Sequence, residues 1–374
     1  MESNWQRLTI VIHSLTGGGS EHAAATMASH WAEFGREVTL ITLDSVQNDH
    51  IALSPKVDRI GLDVMGDSSG IWSAIKANRS RIQSLRDALL QSAPDRVISL
   101  TDQTNVLTLL AARGTDLKVV VSERTDIRHH RIGRVWEWLR KRTYPRACSI
   151  VVQTEAVCTA IKQIARTAPV HVIPNAVPHS GAEAVSASHI PKLDLPGDRN
   201  WFVAVGRFSF EKGFDRLIEA FAQVAEQCPA WNLVIIGDGP EKSKLQKTTQ
   251  DRGLKDRVLF PGWIESPWPA ISKSSIAVLP SRYEGFPNAL LEAMSHGLTP
   301  IAFDCESGPS EIITHNENGL LIPQDDVDAL AAAMQALAHD NATRTRLAAA
   351  ALSVNDRFSP ERIFALWETV LHDC

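Results

Sequence analysis

No run of about twenty apolar residues occurs in this chain, so no segment reads as a membrane-spanning helix, and any membrane contact would be peripheral. The amino-terminal stretch MESNWQRLTIVIHSLTGGG is apolar only briefly before His13 and Gly17 break it, too short a run for a signal peptide. Cysteine is sparse. Cys148, Cys158, Cys228, Cys305 and Cys374 are scattered, with no C-x-x-C pair. That pattern argues against a disulfide framework or a zinc site and fits a reducing cytosol, so the expected location is cytoplasmic, at most peripheral on the inner face of the plasma membrane. Charge of one sign is lacking as well: the net charge of -5 carries no overall nucleic-acid signature. Neither an H-E-x-x-H pattern nor a Ser/His/Asp arrangement is visible. The one Asp-x-Asp, Asp326–Asp328, falls at an expected helix start, where capping is its ordinary use. No catalytic metal and no cofactor are therefore expected.

What is present is an ordinary globular composition, 44% hydrophobic and 22% charged, in 374 residues, enough for two domains. Leu8–Leu15 reads as a buried strand, 16–20 as a tight glycine loop, Glu21–Phe34 as a helix stopped by Gly35, and Glu37–Leu43 as the next strand. This is the opening of a parallel α/β sheet. Helices over 77–92, 105–112 and 155–164 and strands over 96–100, 118–122, 149–153 and 170–173 continue it. Residues 1–178 thus form one doubly wound domain. Residues 179–200, rich in Pro, Gly, Ser and Ala, read as a linker. A second α/β domain follows over 201–356, with strands over 201–205, 231–236, 257–260, 276–279, 300–303 and 319–321. Its helices are expected over 214–227, 242–252, 268–274, 326–339 and 342–352.

The stretch Pro280–Gly297, PSRYEGFPNALLEAMSHG, organises the second domain. It joins a buried strand to an almost wholly apolar helix starting near Pro287, a residue suited to a first helical turn. Glu284 in the loop and Glu292 in the helix are the two carboxylates in this apolar setting, and a charge there needs a partner. Free N–H groups at the helix start make a seat for phosphate. An anion seat with a carboxylate at either end suits a sugar nucleotide. The bland alternative is a buried helix whose Glu is satisfied by a structural Arg.

Glu284 and Glu292, with seven residues between them, resemble the E-x7-E motif of family 4 retaining glycosyltransferases, in particular the bacterial polysaccharide and lipid-linked-oligosaccharide enzymes. The loop Gly17-Gly18-Gly19-Ser20-Glu21-His22 is similar to that family's G-G-x-E-[RH], Gly206-Arg207 to Lys212-Gly213 to its G-R-x-x-x-x-K-G, and Gly237-Asp238-Gly239-Pro240 to its G-x-G-P turn. The resemblance implies a GT-B fold, two facing Rossmann-like doubly wound domains with an interdomain cleft, and a terminal helix over 357–374 packing back on the first domain.

It also implies roles. Arg207, Lys212 and Glu284 would be catalytic, the cations stabilising the leaving diphosphate and the acid bonding the donor sugar. Gly17, Gly18 and Gly19 would let substrate approach backbone N–H groups. Asp238, Gly239, Trp263 and Ile264 would lie near the base. The backbone N–H groups of Phe286, Asn288 and Ala289 would hold the distal phosphate, Gly285 and Pro287 would belong to the same nucleotide-sugar site, and Glu292 would hold the ribose hydroxyls. The donor would be a nucleoside-diphosphate sugar, with UDP the expected nucleotide, and the acceptor a lipid-linked or other saccharide.

Other readings stand beside these. The Gly17–Gly19 loop also reads as a purely structural tight turn, and with Asp44 it mimics a nicotinamide fingerprint, although His22 stands where that fingerprint has Gly. Arg207 and Lys212 could be surface cations, and Trp263 and Ile264 turn and core. Glu123 and Arg124, in Ser122-Glu123-Arg124-Thr125-Asp126, stand where many relatives place a His, and either touch donor sugar or acceptor with Arg128 or form a structural ion pair. The segment Arg124–Arg146 carries a net +6 with Trp136 and Trp138 interleaved, which suits an anionic membrane surface or a lipid pyrophosphate, or else is a solvated face. At the level of function the alternatives are a sugar-nucleotide epimerase, a nicotinamide dehydrogenase and a non-catalytic sugar-nucleotide-binding protein.

Overall fold

The computed structural model describes residues 5–66, 71–177, 193, 195, 200–264, 267–271 and 275–374. The chain divides into two compact units, Met1–Asn175 with Ile363–Cys374, and Ala176–Arg362. Most of the expected linker, 179–200, lies outside the described residues, as do 272–274 of the helix expected over 268–274.

The first unit holds β1 (Arg7–Ile12), β2 (Glu37–Thr42), β3 (Val57–Gly61), β4 (Arg96–Leu100), β5 (Val119–Ser122), β6 (Ser149–Val152) and β7 (Val170–Val172). They form an all-parallel sheet in the order β3-β2-β1-β4-β5-β6-β7. The inner strands are mostly apolar and almost wholly buried, as a parallel sheet covered on both faces requires. β3 has no sequence signal because it is an edge strand, half exposed and carrying Asp58 and Arg59. The crossovers are α1 (Gly19–Glu33), α2 (Ile71–Ser92), α3 (Asp102–Ala111), α4 (Arg134–Thr143) and α5 (Glu155–Ile164).

The second unit repeats the plan. Its strands are β8 (Asn200–Val205), β9 (Trp231–Ile236), β10 (Val258–Leu259), β11 (Ile276–Leu279), β12 (Thr299–Asp304) and β13 (Leu320–Pro323), again all parallel, in the order β10-β9-β8-β11-β12-β13. Between them and after them run α6 (Phe214–Val224), α7 (Lys242–Asp251), α8 (Asn288–Ser295), α9 (Pro309–Ile312), α10 (Val327–His339), α11 (Asn341–Ala351) and α12 (Val354–Arg357). Asp326 caps α10 by accepting the Ala329 N–H at 2.9 Å, which accounts for the Asp-x-Asp. Of the helix expected over 268–274, the described residues form a single 3-10 turn, Trp268–Ala270.

The last helix, α13 (Pro360–Asp373), contributes its residues from Ile363 onward to the first unit. Trp367 is buried there, His30 stacks on Phe364 at 3.7 Å, and Trp31 Nε1 donates to Glu368 at 2.8 Å. Cys148 and Cys374 are joined by a disulfide, with their Cα atoms 5.7 Å apart. This corrects the expectation of unpaired cysteines and removes the premise for a reducing compartment. The pair lies 226 residues apart in sequence, a separation at which spacing says nothing about contact. Among the described residues no helix is long and apolar enough to cross a membrane.

Candidate functional site

In the second sheet the strand order reverses between β8 and β11, which pair directly. In open parallel sheets the crevice beyond such a reversal is where ligands sit. The loops leaving the carboxyl ends of these two strands are 206–213 and 280–287, the two stretches singled out from sequence. Glycines here and after the neighbouring strand β9 let backbone approach backbone. Gly213 has φ +65, and a Cβ there would overlap the Pro280 carbonyl oxygen; one on Gly237 would overlap that of Gly206.

The same meeting joins Lys212 to Glu284. Lys212 Nζ donates to both carboxylate oxygens, at 2.8 and 3.0 Å, and the Ser281 hydroxyl donates to Oε1 at 2.6 Å. The Glu284 side chain is 7% exposed and that of Lys212 25%, so the pair has one open side. Arg282 locks the loops together from behind. It forks onto Asp215 at 2.8 and 2.7 Å, donates to the Phe210 carbonyl at 2.7 Å and covers the Phe210 ring. Ser281 and Arg282 carry no sequence signal, because their partners become neighbours only through strand order. Arg207 is exposed at the mouth of its loop.

α8 starts one residue later than expected. Pro287 is its cap, not its first helical residue. Of the three amides expected to seat phosphate, that of Asn288 donates to the Phe286 carbonyl at 3.0 Å, inside the turn itself. Ala289 lies in the first turn, where helical geometry provides no backbone partner for the N–H. Phe286 turns its ring inward against Phe358. The Gly285 carbonyl accepts from the Ser307 hydroxyl at 3.3 Å, and Gly308, at φ +103, leaves room for the Pro287 ring. Glu292 accepts from Trp268 Nε1 at 2.8 Å. Burial pushes its carboxyl above the usual range, with the indole N–H pulling the other way. Asp238 accepts from Lys242 at 2.6 Å and from the Gly239 amide at 2.7 Å. Trp263 is exposed, whereas Ile264 is a core side chain in the same cluster as Trp201 and Trp268.

The glycine loop of the first unit is held from within. The Gly17 and Gly18 amides each donate to Glu21 Oε2 at 2.6 Å, and Ser14 Oγ and His13 Nε2 hold the other oxygen. The carboxylate of Glu21 occupies the anion seat at the start of α1, where Gly19 is the first helical residue. Asp44 accepts from Ser45 N and Asn48 Nδ2 on Oδ1, inside its own turn.

Glu123 lies inside the first unit. It is 1% exposed and accepts from the Tyr144 hydroxyl at 2.7 Å and from Thr125 Oγ1 at 2.9 Å, with Arg140 Nε 3.9 Å away. It is an internal group, with its carboxyl pushed up by burial against the pull of Arg140. Arg140, one of the basic residues counted toward a surface patch, is fully buried. Arg124 is buried too, and burial alone draws its guanidinium down to about 10. Arg128 forks onto Asp126 at 2.9 and 2.7 Å. On α4 the exposed face carries Val135, Trp138, Arg134, Lys141 and Arg142.

Comparison with known proteins fits this geometry. Residues 18–176 match the model of a glycosyl transferase 4-like domain, and residues 185–354 that of glycosyl transferases group 1. An exopolysaccharide phosphotransferase of Streptomyces coelicolor is 32% identical over 295 residues, 76% of this chain and 27% of that protein. The lipopolysaccharide core biosynthesis glycosyltransferase LpsE of Rhizobium meliloti is 32% identical over 219 residues, 58% of this chain and 62% of the relative. The matched region thus spans about a quarter of the first relative and about three fifths of the second. The solved structure of HepE from Anabaena, in complex with UDP and glucose, superposes with a TM-score of 0.77 at 20% identity, covering 99% of this chain and all of that one.

Proposed function

From the premise that the chain belongs to the GT-B glycosyltransferases built of a 4-like domain followed by a group 1 domain, we propose that it moves a hexose or N-acetylhexosamine, with retention, from a nucleoside-diphosphate sugar to a lipid-linked or saccharide acceptor. UDP is the nucleotide this reading favours, by likeness to the Anabaena protein that binds it. The observation that carries the reading is the Lys212–Glu284 pair at the carboxyl ends of β8 and β11, immediately before α8.

In this reading the donor diphosphate rests against Lys212, Arg207 and the first turn of α8. Glu284 accepts from a sugar hydroxyl and Glu292 from the ribose. The bond from the anomeric carbon to phosphate oxygen breaks while the acceptor oxygen bonds to that carbon on the same face. The acceptor proton passes to the departing phosphate oxygen. Arg207 and Lys212 supply fixed positive charge where the leaving group gains negative charge, a preorganised contribution that needs no metal. Of the first-unit residues considered for the acceptor side, Arg128 has a partly exposed side chain, whereas Arg124 and Glu123 are buried. A thermal-shift screen over UDP, GDP and ADP sugars should give its largest rise with a UDP sugar, and mass spectrometry of product made from lipid extracts should then identify the acceptor. No shift with any nucleotide sugar would refute the reading.

An anionic membrane surface is the second partner proposed, for the exposed face of α4. Val135 and Trp138 are 69% and 55% exposed, and Arg134, Lys141 and Arg142 flank them. Apolar side chains among basic ones at an interface gain both buried area and attraction to anionic lipid. The protein should co-sediment with phosphatidylglycerol vesicles and not with phosphatidylcholine vesicles, and Trp138→Ala should weaken that binding several-fold. Equal sedimentation with both lipids would count against it.

A further inference from the structure

Glu292 stands on the second turn of a helix whose neighbours Leu290, Leu291, Ala293 and Met294 are all buried. A carboxylate in such a place must have its lone pairs engaged and its rotamer held. Among the described residues its side chain has one hydrogen-bond donor, the Trp268 indole N–H, on Oε2 at 2.8 Å. Trp268 is itself 3% exposed, in a cluster with Val203, Ala277, Ala293 and Leu298. Its ring therefore cannot swing, and its single N–H has a fixed direction. Packing alone would be served by Phe. What Trp adds is a buried donor, and a buried indole N–H needs an acceptor. Burial disfavours the charge on Glu292, and the indole opposes that effect. One oxygen is thus taken, and Oε1 has no protein donor among the described residues. A carboxylate so held is prepared to accept from neighbouring hydroxyls of a ligand.

We propose that Trp268 is a positioning residue: it orients Glu292 so that the carboxylate accepts from the vicinal diol of a nucleoside-diphosphate ribose. This rests on the nucleotide-sugar reading and extends it to a residue outside every motif in the chain. Trp268 touches no ligand and acts only through Glu292. Its loss should therefore be felt by ligands that carry the diol and not by ligands that lack it.

The test is calorimetric titration of the full chain with uridine, guanosine and adenosine 5′-diphosphates and with the 2′-deoxy analogue of each. Trp268→Phe should bind the preferred ribonucleotide about tenfold more weakly than the unaltered protein, the range expected for a lost hydrogen bond to a charged group. It should bind the matching deoxynucleotide within about twofold of the unaltered protein, since no diol is there to be misplaced. Glu292→Gln should show the same selective loss, and the double variant should be no weaker than Glu292→Gln alone. Equal loss of both ligands would mark Trp268 as merely structural, and unchanged affinity for the ribonucleotide would remove it from the site; either overturns the assignment. Should Trp268→Phe not fold, 3-benzothienylalanine at 268, which replaces the N–H by sulfur at nearly constant shape, is read against the same criteria. Failure of the unaltered protein to bind any of the diphosphates overturns the nucleotide-sugar reading itself and this assignment with it, a result distinct from normal binding without ribose selectivity.

Discussion

Lys212→Ala is expected to lower turnover by about two to three orders of magnitude if, as proposed, Lys212 is a preorganised group facing developing negative charge. The structure makes two effects separable. Lys212 is the counter-ion of Glu284, so its loss leaves a mostly buried carboxylate held by the Ser281 hydroxyl. That is a stability cost, and it should appear as a lower melting temperature. The loss of charge opposite the leaving diphosphate is a rate cost, and it should appear in kcat at saturating donor. A purely structural lysine would move the first and leave the second once the protein is folded. The measurement is kcat with the donor found by thermal shift, at a temperature where the variant retains its far-UV circular dichroism. Turnover close to that of the unaltered enzyme would sink the catalytic role of Lys212.

The second large effect is on acid stability, and it belongs to Glu21. Burial pushes this carboxyl up, but hydrogen bonds from His13, the Gly18 amide and Ser14 outweigh it and hold the group at about 2, against 4.5 for a free glutamate. The folded value lies below the unfolded one, so the folded state favours the ionised form. The resulting stability is complete above about pH 4.5 and fades as the pH falls toward 2. A shift of that size corresponds to about 3 kcal/mol, a large share of a domain's net stability. Glu21→Gln should therefore lower the urea midpoint of unfolding strongly at about pH 5, and the gap to the unaltered protein should narrow by more than half at about pH 3. A gap that stays constant across that window would show that the ionised carboxylate is not what holds the glycine loop.

Glu21 also shows where a sequence motif is legible and where it is not. Three glycines before a helix announce a tight turn and amides that can hold an anion. Which anion they hold depends on whether the acid just after Gly19 and Ser20 folds back, and here it does. Glu123 is the converse. Its place at the end of β5 suggested ligand contact, yet Tyr144 and Arg140 come from the helical stretch beyond and enclose it. The edge strand β3 lacked the apolar run that revealed its neighbours. Pro287, a good first helical residue by type, became a cap because the loop from Glu284 enters the helix against Gly308.

The periods of two and of about 3.6 residues and the glycine turns at strand ends were enough to establish two parallel α/β units, and with the spacing of Glu284 from Glu292 they singled out the loops after β8 and β11. These are properties of short stretches, set by backbone sterics and by which face must leave water. Only the tertiary structure decided the partners: Lys212 for Glu284 across 72 residues, Trp268 for Glu292, Cys148 for Cys374. Strand order brings Lys212 to Glu284, and the return of the last helix to the first unit brings Cys374 to Cys148; both are set by the free energy of the whole fold, a quantity that no local stretch contains.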